Sequence, residues 1–404
     1  MSDPIGVLRV AAVQAAPVFL DPAATADKAV GLVEEAARRG ARLVCFGEGF
    51  LSGHPVWLHV LPVTSPLQIE LASALIASAV TIPGPETSAL AETARRTGTM
   101  IVLGAVERLD PHAASLALAQ VVIDPEGRLS VRRKLVPAVG ERVLFTPAAG
   151  DSIRAFDSPW GPISALLGGE NANPLLTWTL RQLGARIHVA AWPPHFNRPG
   201  VMGETMTITG RAIAYQNSAY VIAVAGATTA ELRDRVARTP TDRALLDAMA
   251  TDPGSVIWAP RGSLLAGPLP GGEGILTADL DLAAGAWASL VNHHYDRPDL
   301  FRVSVDRSPG RPTLELDVAD PKVGWREPSA AMPTAAPAPD PKLVAEARRL
   351  IADRYGDRLA ADEAEGLLPF AVAVLESSRR LESLDPTTDD PRSTVFADDP
   401  RGGR

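Results

Sequence analysis

Cysteine is almost missing from this chain of 404 residues, which contains one, Cys45. A single thiol excludes an internal disulfide framework and a cysteine-built zinc site, and it suits a reducing cytoplasm. The 7 histidines show no metal-ligand spacing, and the His293-His294 pair reads as a hydrogen-bonded turn, so no metal is expected. Neither a glycine-rich phosphate loop nor a dinucleotide fingerprint occurs, which leaves no expected cofactor. No apolar run reaches membrane-spanning length, and between Met1 and Gly6 there is no room for a signal peptide. The net charge is −8 with scattered Lys and Arg; lacking a basic stripe, the chain is not expected to bind nucleic acid. What is present is ordinary soluble globular composition, 46% hydrophobic and 21% charged, with ample material for a large core.

The chain is organised around residues 164–175, an apolar run that stops at Gly168-Gly169 and restarts as Glu170-Asn171-Ala172-Asn173-Pro174. This reads as a strand ending in a tight turn, where two glycines permit positive φ and close approach to a ligand. Glu170, Asn171 and Asn173 are suited to cap the helix that follows, and backbone N–H groups at such a turn can face an anionic intermediate. A plain β-to-α connection fits the same residues.

In chain order, residues 7–17 read as a buried first strand and 21–39 as an amphipathic helix ended by Gly40. Residues 41–46 form the next strand and deliver Gly47-Glu48-Gly49-Phe50, a carboxylate at the C-terminal end of a buried strand, where α/β proteins place reactive groups. Ser52-Gly53-His54-Pro55-Val56-Trp57 follows as a loop carrying an aromatic ring. Helical stretches lie at 69–80 and after Pro83-Gly84-Pro85, with strands at 99–108 and from Val121. Residues 131–137 put Lys134 at the end of a strand, and Glu141 stands in a turn seven residues later. Beyond the glycine pair, strands are expected at 187–192, 220–225, 254–258, 263–266 and 274–278 with turns between, and a helix at 205–216. The alternation predicts layered α/β with helices outside paired sheets and no repeat of fixed period. Composition shifts near Asp320: residues 321–341 read as a Pro/Ala-rich linker, and 342–404 as a helical extension (342–354 and 362–384) with a polar, disordered tail.

Glu48, Lys134 and Glu141 stand out by position. A carboxylate held beside an ammonium can act as a general base while the ammonium stabilises developing negative charge. Each alone fits a structural salt bridge equally, and spacing does not show that they meet. They belong to a longer series: Val10-Ala11-Ala12-Val13-Gln14-Ala15-Ala16-Pro17, Phe46-Gly47-Glu48-Gly49-Phe50 with Gly53-His54-Pro55, Arg132-Arg133-Lys134-Leu135-Val136-Pro137 with Glu141-Arg142, Gly169-Glu170-Asn171-Ala172-Asn173-Pro174-Leu175, Trp192-Pro193-Pro194, and His294-Tyr295-Asp296-Arg297-Pro298-Asp299. The chain from about Val7 to Asp306 that carries them resembles the nitrilase, or carbon–nitrogen hydrolase, superfamily, and specifically its nitrilase branch.

The resemblance implies a four-layer α-β-β-α sandwich over residues 1–320, with protomers paired sheet-to-sheet across a two-fold axis into a homodimer and onward into larger homo-oligomers, spirals included. It implies a small nitrile or amide-type substrate, with Glu48 as general base, Lys134 stabilising the tetrahedral intermediate, Glu141 orienting the site, and a nucleophilic cysteine at position 168. Gly169, Glu170, His54, Trp57 and Trp192 are expected around the substrate, although packing explains the two tryptophans equally. Position 168 is Gly168, so the nucleophile is missing from an intact frame. A lesser departure is Leu116-Ala117-Leu118, where the family shows tyrosine and asparagine after leucine. Cys45 is a poor substitute, because strand alternation sets it on the pleat face opposite Glu48.

Glycine cannot form an acyl or thioimidate intermediate. Three readings follow: an enzyme in which Glu48 activates a water while Lys134 and the Gly169 N–H hold the charge, a catalytically inactive homologue serving as a ligand-binding or assembly subunit, or a nitrilase disarmed by replacement of its cysteine.

Overall fold

The computed structural model describes residues 6–110, 112–195, 199–293, 296–297, 300–307, 340–356 and 359–382. The chain divides into two compact units, Met1–Leu314 and Glu315–Arg404. The expected polar tail, the expected linker up to residue 339, and His294, Tyr295, Pro298 and Asp299 lie outside the described residues.

The first unit runs β1 (Val7–Gln14), α1 (Pro22–Arg38), β2 (Leu43–Phe46), α2 (Pro66–Ser78), α3 (Pro85–Thr97), β3 (Met100–Arg108), β4 (Leu116–Ile123), β5 (Leu129–Arg133), β6 (Ile163–Leu167), α4 (Pro174–Gln182), β7 (Ile187–Ala191), α5 (Val201–Asn217), β8 (Tyr220–Val224), α6 (Ala230–Val236), α7 (Pro240–Ala250), β9 (Val256–Trp258), β10 (Leu264–Ala266), β11 (Gly274–Asp281) and α8 (Leu282–His293). One sheet has the order β11-β1-β2-β3-β4-β5 and the other β10-β9-β8-β7-β6. In each, three parallel strands form the centre or one flank: β1, β2 and β3 in the first, β6, β7 and β8 in the second. The remaining strands join antiparallel.

These strands read as continuous apolar runs because both faces are covered. Cys45, Val10 and Val102 of the first sheet share one core cluster with Ala165, Val189 and Ile222 of the second, so the sheets pack face to face. Val44 and Phe46, one residue either side of Cys45, point the other way into a cluster with Ala29 and Val33 of α1 and Leu90 and Ala94 of α3. Ala190, Val221 and Ala223 of the second sheet pack outward on Met206 and Ile213 of α5. The fold is therefore the expected α-β-β-α sandwich. Both outer sheet faces pack against helices.

Local chemistry sets the ends. Asp21 caps α1 by accepting from the Ala24 N–H, and α3 stops at Gly98, whose φ of +64° closes the helix. Two expectations need correction. The stretch from residue 226 to 253, read as turns, contains α6 and α7, capped by Thr229 and Thr239; their polar Arg/Asp-rich faces hide the apolar spacing of Leu232, Val236, Leu246 and Met249. The β5 strand ends at Arg133, one residue before the expected end at Lys134: the Lys134 N–H still reaches Leu118 O, but the Leu135 N–H is captured by Glu170.

The second unit contains α9 (Pro341–Tyr355), capped by Asp340, and α10 (Ala361–Glu382), close to the helices expected there. Leu343, Ala347 and Val372 join them, and Arg379 pairs with Glu346 at 2.6 Å. Among the described residues no helix is long and apolar enough to cross a membrane.

Candidate functional site

The site residues lie just beyond the strands that deliver them. Glu48 follows β2, Lys134 follows β5, and Gly168 follows β6. Glu141 sits in a 3₁₀ turn, Val139–Val143. Glycine is needed beside Glu48: a Cβ on Gly104 of β3 would lie 2.3 Å from Gly47 O, and one on Gly47 would lie 2.9 Å from Trp192 O. That close approach lets the Glu48 N–H donate to Trp192 O at 3.0 Å, tying the β2 exit to the residue after β7.

The side chains of Glu48, Lys134, Glu141 and His54 converge in a buried cluster with at most 2% exposure each. Lys134 Nζ donates to Glu48 Oε1 at 2.6 Å and to Glu141 Oε2 at 2.7 Å. His54 Nε2 lies 3.1 Å from Glu141 Oε1, and the Ala138 N–H donates to Glu141 Oε2 at 2.6 Å. Glu48 Oε2 is buried and has no hydrogen-bond partner among the described residues. It points at Gly168: a Cβ there would lie 2.7 Å from Glu48 Oε2 and 3.3 Å from Lys134 Nζ. Glu48, Lys134, Glu141 and Gly168, separated by as many as 120 positions in sequence, thus share one spot.

The two carboxyls differ in proton affinity. Burial, reinforced by the charge of Glu141 and opposed by Lys134, raises Glu48 to about 8. Burial also works against ionising Glu141, but its bonds to His54 and Lys134 hold it at about 2. Burial opposes the charge on Lys134, yet the two glutamates raise its pKa above the ordinary lysine value. Burial lowers His54, leaving it neutral. Lys134 binds Oε1, which leaves Oε2 as the oxygen that faces Gly168. Glu48, His54 and Glu141 also place three donor atoms within 4.8 Å of one another, a cation-ligating geometry. The Lys134 ammonium, bonded to both carboxylates, fills the cation's role there.

Several expected contact residues are engaged elsewhere. Glu170 receives both Arg132 Nη atoms at 2.8 Å and the N–H groups of Leu135 and Leu167 at 2.7 and 3.0 Å, so it locks β5 to the turn after β6. Neither it nor Asn171 caps α4; Asn173 does, accepting from Leu175 and Leu176. Trp57 is buried edge-to-face against Phe19, with ring centroids 6.0 Å apart, and Trp192 is buried with Met202 and Met206. Gly169 is exposed, with nothing within 4 Å of where its Cβ would lie, whereas Gly168 is buried.

Sequence reasoning missed the supports of Gly168. Asn171 Nδ2 donates to Gly168 O at 2.8 Å, Asn171 Oδ1 meets His188 Nε2 at 2.8 Å, and His188 Nδ1 meets Ser164 Oγ at 2.8 Å. Burial and the Arg132 charge lower His188 to about 3, so this buried chain stays neutral and fixes the carbonyl of a residue whose φ is +48°. The one usable signal was polar residues inside apolar strands: Arg132, Ser164 and His188. Cys45 lies fully buried between the sheets, where burial pushes its thiol pKa up.

A frame of this kind has relatives. The carbon-nitrogen hydrolase family model matches residues 9–288. A nitrilase of Pseudomonas syringae pv. syringae (strain B728a) is 36% identical over 321 residues, covering 76% of this chain and 93% of the relative. An arylacetonitrilase of Macrophomina phaseolina (strain MS6) is 35% identical over 337 residues, covering 78% and 95%. Among solved structures, a carbon-nitrogen hydrolase from Helicobacter pylori G27 shares the fold with a TM-score of 0.56 at 16% identity, covering 74% of this chain and 98% of that one. With the family model spanning most of the sandwich and both relatives matched over nearly their whole length, the chain belongs to the carbon-nitrogen hydrolase family.

Proposed function

We propose that this protein acts on the carbon–nitrogen bond of a small nitrile or amide-type molecule without a covalent intermediate, Gly168 standing where the family resemblance places the nucleophile. Glu48 Oε2 carries this reading: it is buried, unpartnered and directed at the space over Gly168, beside Lys134 Nζ. A water held there is activated by ionised Glu48. Its oxygen bonds to the nitrile carbon, its proton passes to Glu48 Oε2 and then to the substrate nitrogen, and the amide forms by tautomerisation. With an amide, the same transfers release ammonia and leave the carboxylic acid. Lys134 neutralises charge on the adduct, and Glu141 holds Lys134 in place. The alternative, a catalytically inactive binding or assembly subunit, calls for apolar side chains closed over residue 168. The three nearest atoms to a Cβ at that position are Oε2 and Cδ of Glu48 and Nζ of Lys134, which favours chemistry.

The reading includes a cytoplasmic homo-oligomer, with residues 1–320 as the hydrolase domain. The exposed Leu175 on α4 and Ile208 and Tyr215 on α5 support self-association. The test incubates the protein, its Glu48→Gln variant and its Gly168→Cys variant with a panel of aliphatic and aromatic nitriles and amides, following ammonia release and product mass. Turnover by the glycine form that Glu48→Gln abolishes supports the proposal. Turnover by the Gly168→Cys variant alone refutes it in favour of a disarmed frame.

A further inference from the structure

Two glutamates flank one lysine in this site, and both bond to it at nearly the same distance, 2.6 and 2.7 Å. A symmetric pair would share a proton between them. The remaining donors break the symmetry. Glu141 faces three, Lys134 Nζ, the Ala138 N–H and His54 Nε2, whereas Glu48 has Lys134 Nζ alone among the described side-chain bonds. Each donor to a carboxylate favours its ionised form.

We propose that His54 is the positioning residue that makes this choice: by donating from Nε2 to Glu141 Oε1 it keeps Glu141 the ionised carboxylate and leaves Glu48 as the carboxyl that gains and loses a proton over Gly168. The proposal deepens the reading of Glu48 as the proton-handling group and moves His54 from the substrate to the site's support. His54 is fixed for this. It lies in the buried loop after β2, where Gly49 at φ +63° lets the chain fold back so closely that a Cβ on Gly49 would touch the His54 backbone at 3.2 Å. The charged groups around the cluster agree. Lys134, Glu141 and Glu170 act on Glu48, and the charge of Glu170 is offset by its two-pronged bond to Arg132. His54 and Lys134 act on Glu141; His59, the other nearby imidazole, is kept neutral by burial, which lowers it to about 4. Burial lowers His54 as well, and its bond to Glu141 acts in the direction that holds Glu141 ionised.

The test needs no substrate, so its failure is separate from any failure of the proposed chemistry. Glutamate side-chain carboxyl ¹³C resonances are titrated in the full chain, with Glu48→Gln and Glu141→Gln providing assignments. In the protein itself, Glu48 titrates near 8. In His54→Phe the Glu141 midpoint rises by at least about one pH unit, a tenfold change in proton affinity. His54→Gln, which retains an N–H donor at the Nε2 position, restores the original midpoint. An unchanged Glu141 midpoint in folded His54→Phe overturns the proposal. Should that variant not fold, ¹⁵N spectra of the His54 ring in the unaltered protein decide: a neutral ring protonated at Nε2 sustains the proposal, and a ring protonated at Nδ1 alone overturns it.

Discussion

Putting a side chain back at position 168 tests the geometry directly. Gly168 has φ +48°, a conformation that costs an L-residue about 1–2 kcal/mol. The new Cβ would also sit 2.7 Å from Glu48 Oε2, so the carboxyl must withdraw and loosen its contact with Lys134. Together these give an expected loss of about 1–3 kcal/mol, the range for stored backbone strain at a functional site. At about 2–4 °C per kcal/mol for a domain of this size, the melting temperature of Gly168→Ala falls by several degrees. Gly168→Cys shows the same loss, because the sulfur lies beyond the Cβ that causes it. The assay is thermal and urea unfolding of the protein and both variants, paired with the double variant Gly168→Ala/Glu48→Gln, in which an amide at position 48 carries no buried charge. Equal stability of the protein and Gly168→Ala would refute the reasoning, since neither the strain nor the close approach of Glu48 would then be real.

The raised proton affinity of Glu48 stabilises the fold below the ordinary carboxylate range near 4.5, and that contribution is lost as pH rises through about 8. Glu141 has the opposite sign: its contribution is present above 4.5 and disappears as pH falls toward about 2. Unfolding free energies compared between pH 5 and pH 9 should therefore fall by a few kcal/mol more in the protein than in Glu48→Gln; parallel curves would sink this. Proposed turnover should increase with pH up to about 8 as Glu48 ionises, and a rate falling from pH 6 to 8 would argue that Glu48 acts as an acid. Arg132→Met leaves Glu170 charged and buried, an expected loss of about 3–5 kcal/mol in urea unfolding, with Arg132→Met/Glu170→Leu recovering most of it. Deleting residues 321–404 is expected to reduce particle size by light scattering; an unchanged size would show that this segment has no part in assembly.

Much of the sandwich was legible because its strands are apolar on both faces and are punctuated by glycine and proline, as at Phe46-Gly47 and Leu167-Gly168. The candidate site was legible in part for a related reason: Glu48, Lys134 and Glu141 are charged residues standing just where buried strands release the chain or in the turn after, and the family resemblance grouped them. The supports were not legible, because their meaning is long-range. Glu170 looks like a ligand-facing acid beside two glycines, yet its partner is Arg132, 38 residues earlier in the other sheet. His188 is one polar residue in a buried strand, and only its register beside Ser164 shows why it is tolerated. The α6–α7 stretch hid its helices because each buries only a few residues under a charged exterior.

Gly168 marks the boundary between the two kinds of knowledge. That residue 168 is a glycine is a fact of sequence, and it means that no covalent intermediate forms on its side chain. What takes its place depends on where a neighbour's last torsion points, which no local pattern encodes. Here the neighbour is Glu48, anchored at Oε1 by Lys134 and left with Oε2 over the glycine. The residue that the family resemblance makes a base for a sulfur thus faces the space over Gly168, and burial raises its proton affinity above the ordinary carboxylate range. On the proposed reading, the ionisation of Glu48, rather than its presence, decides what the site can do.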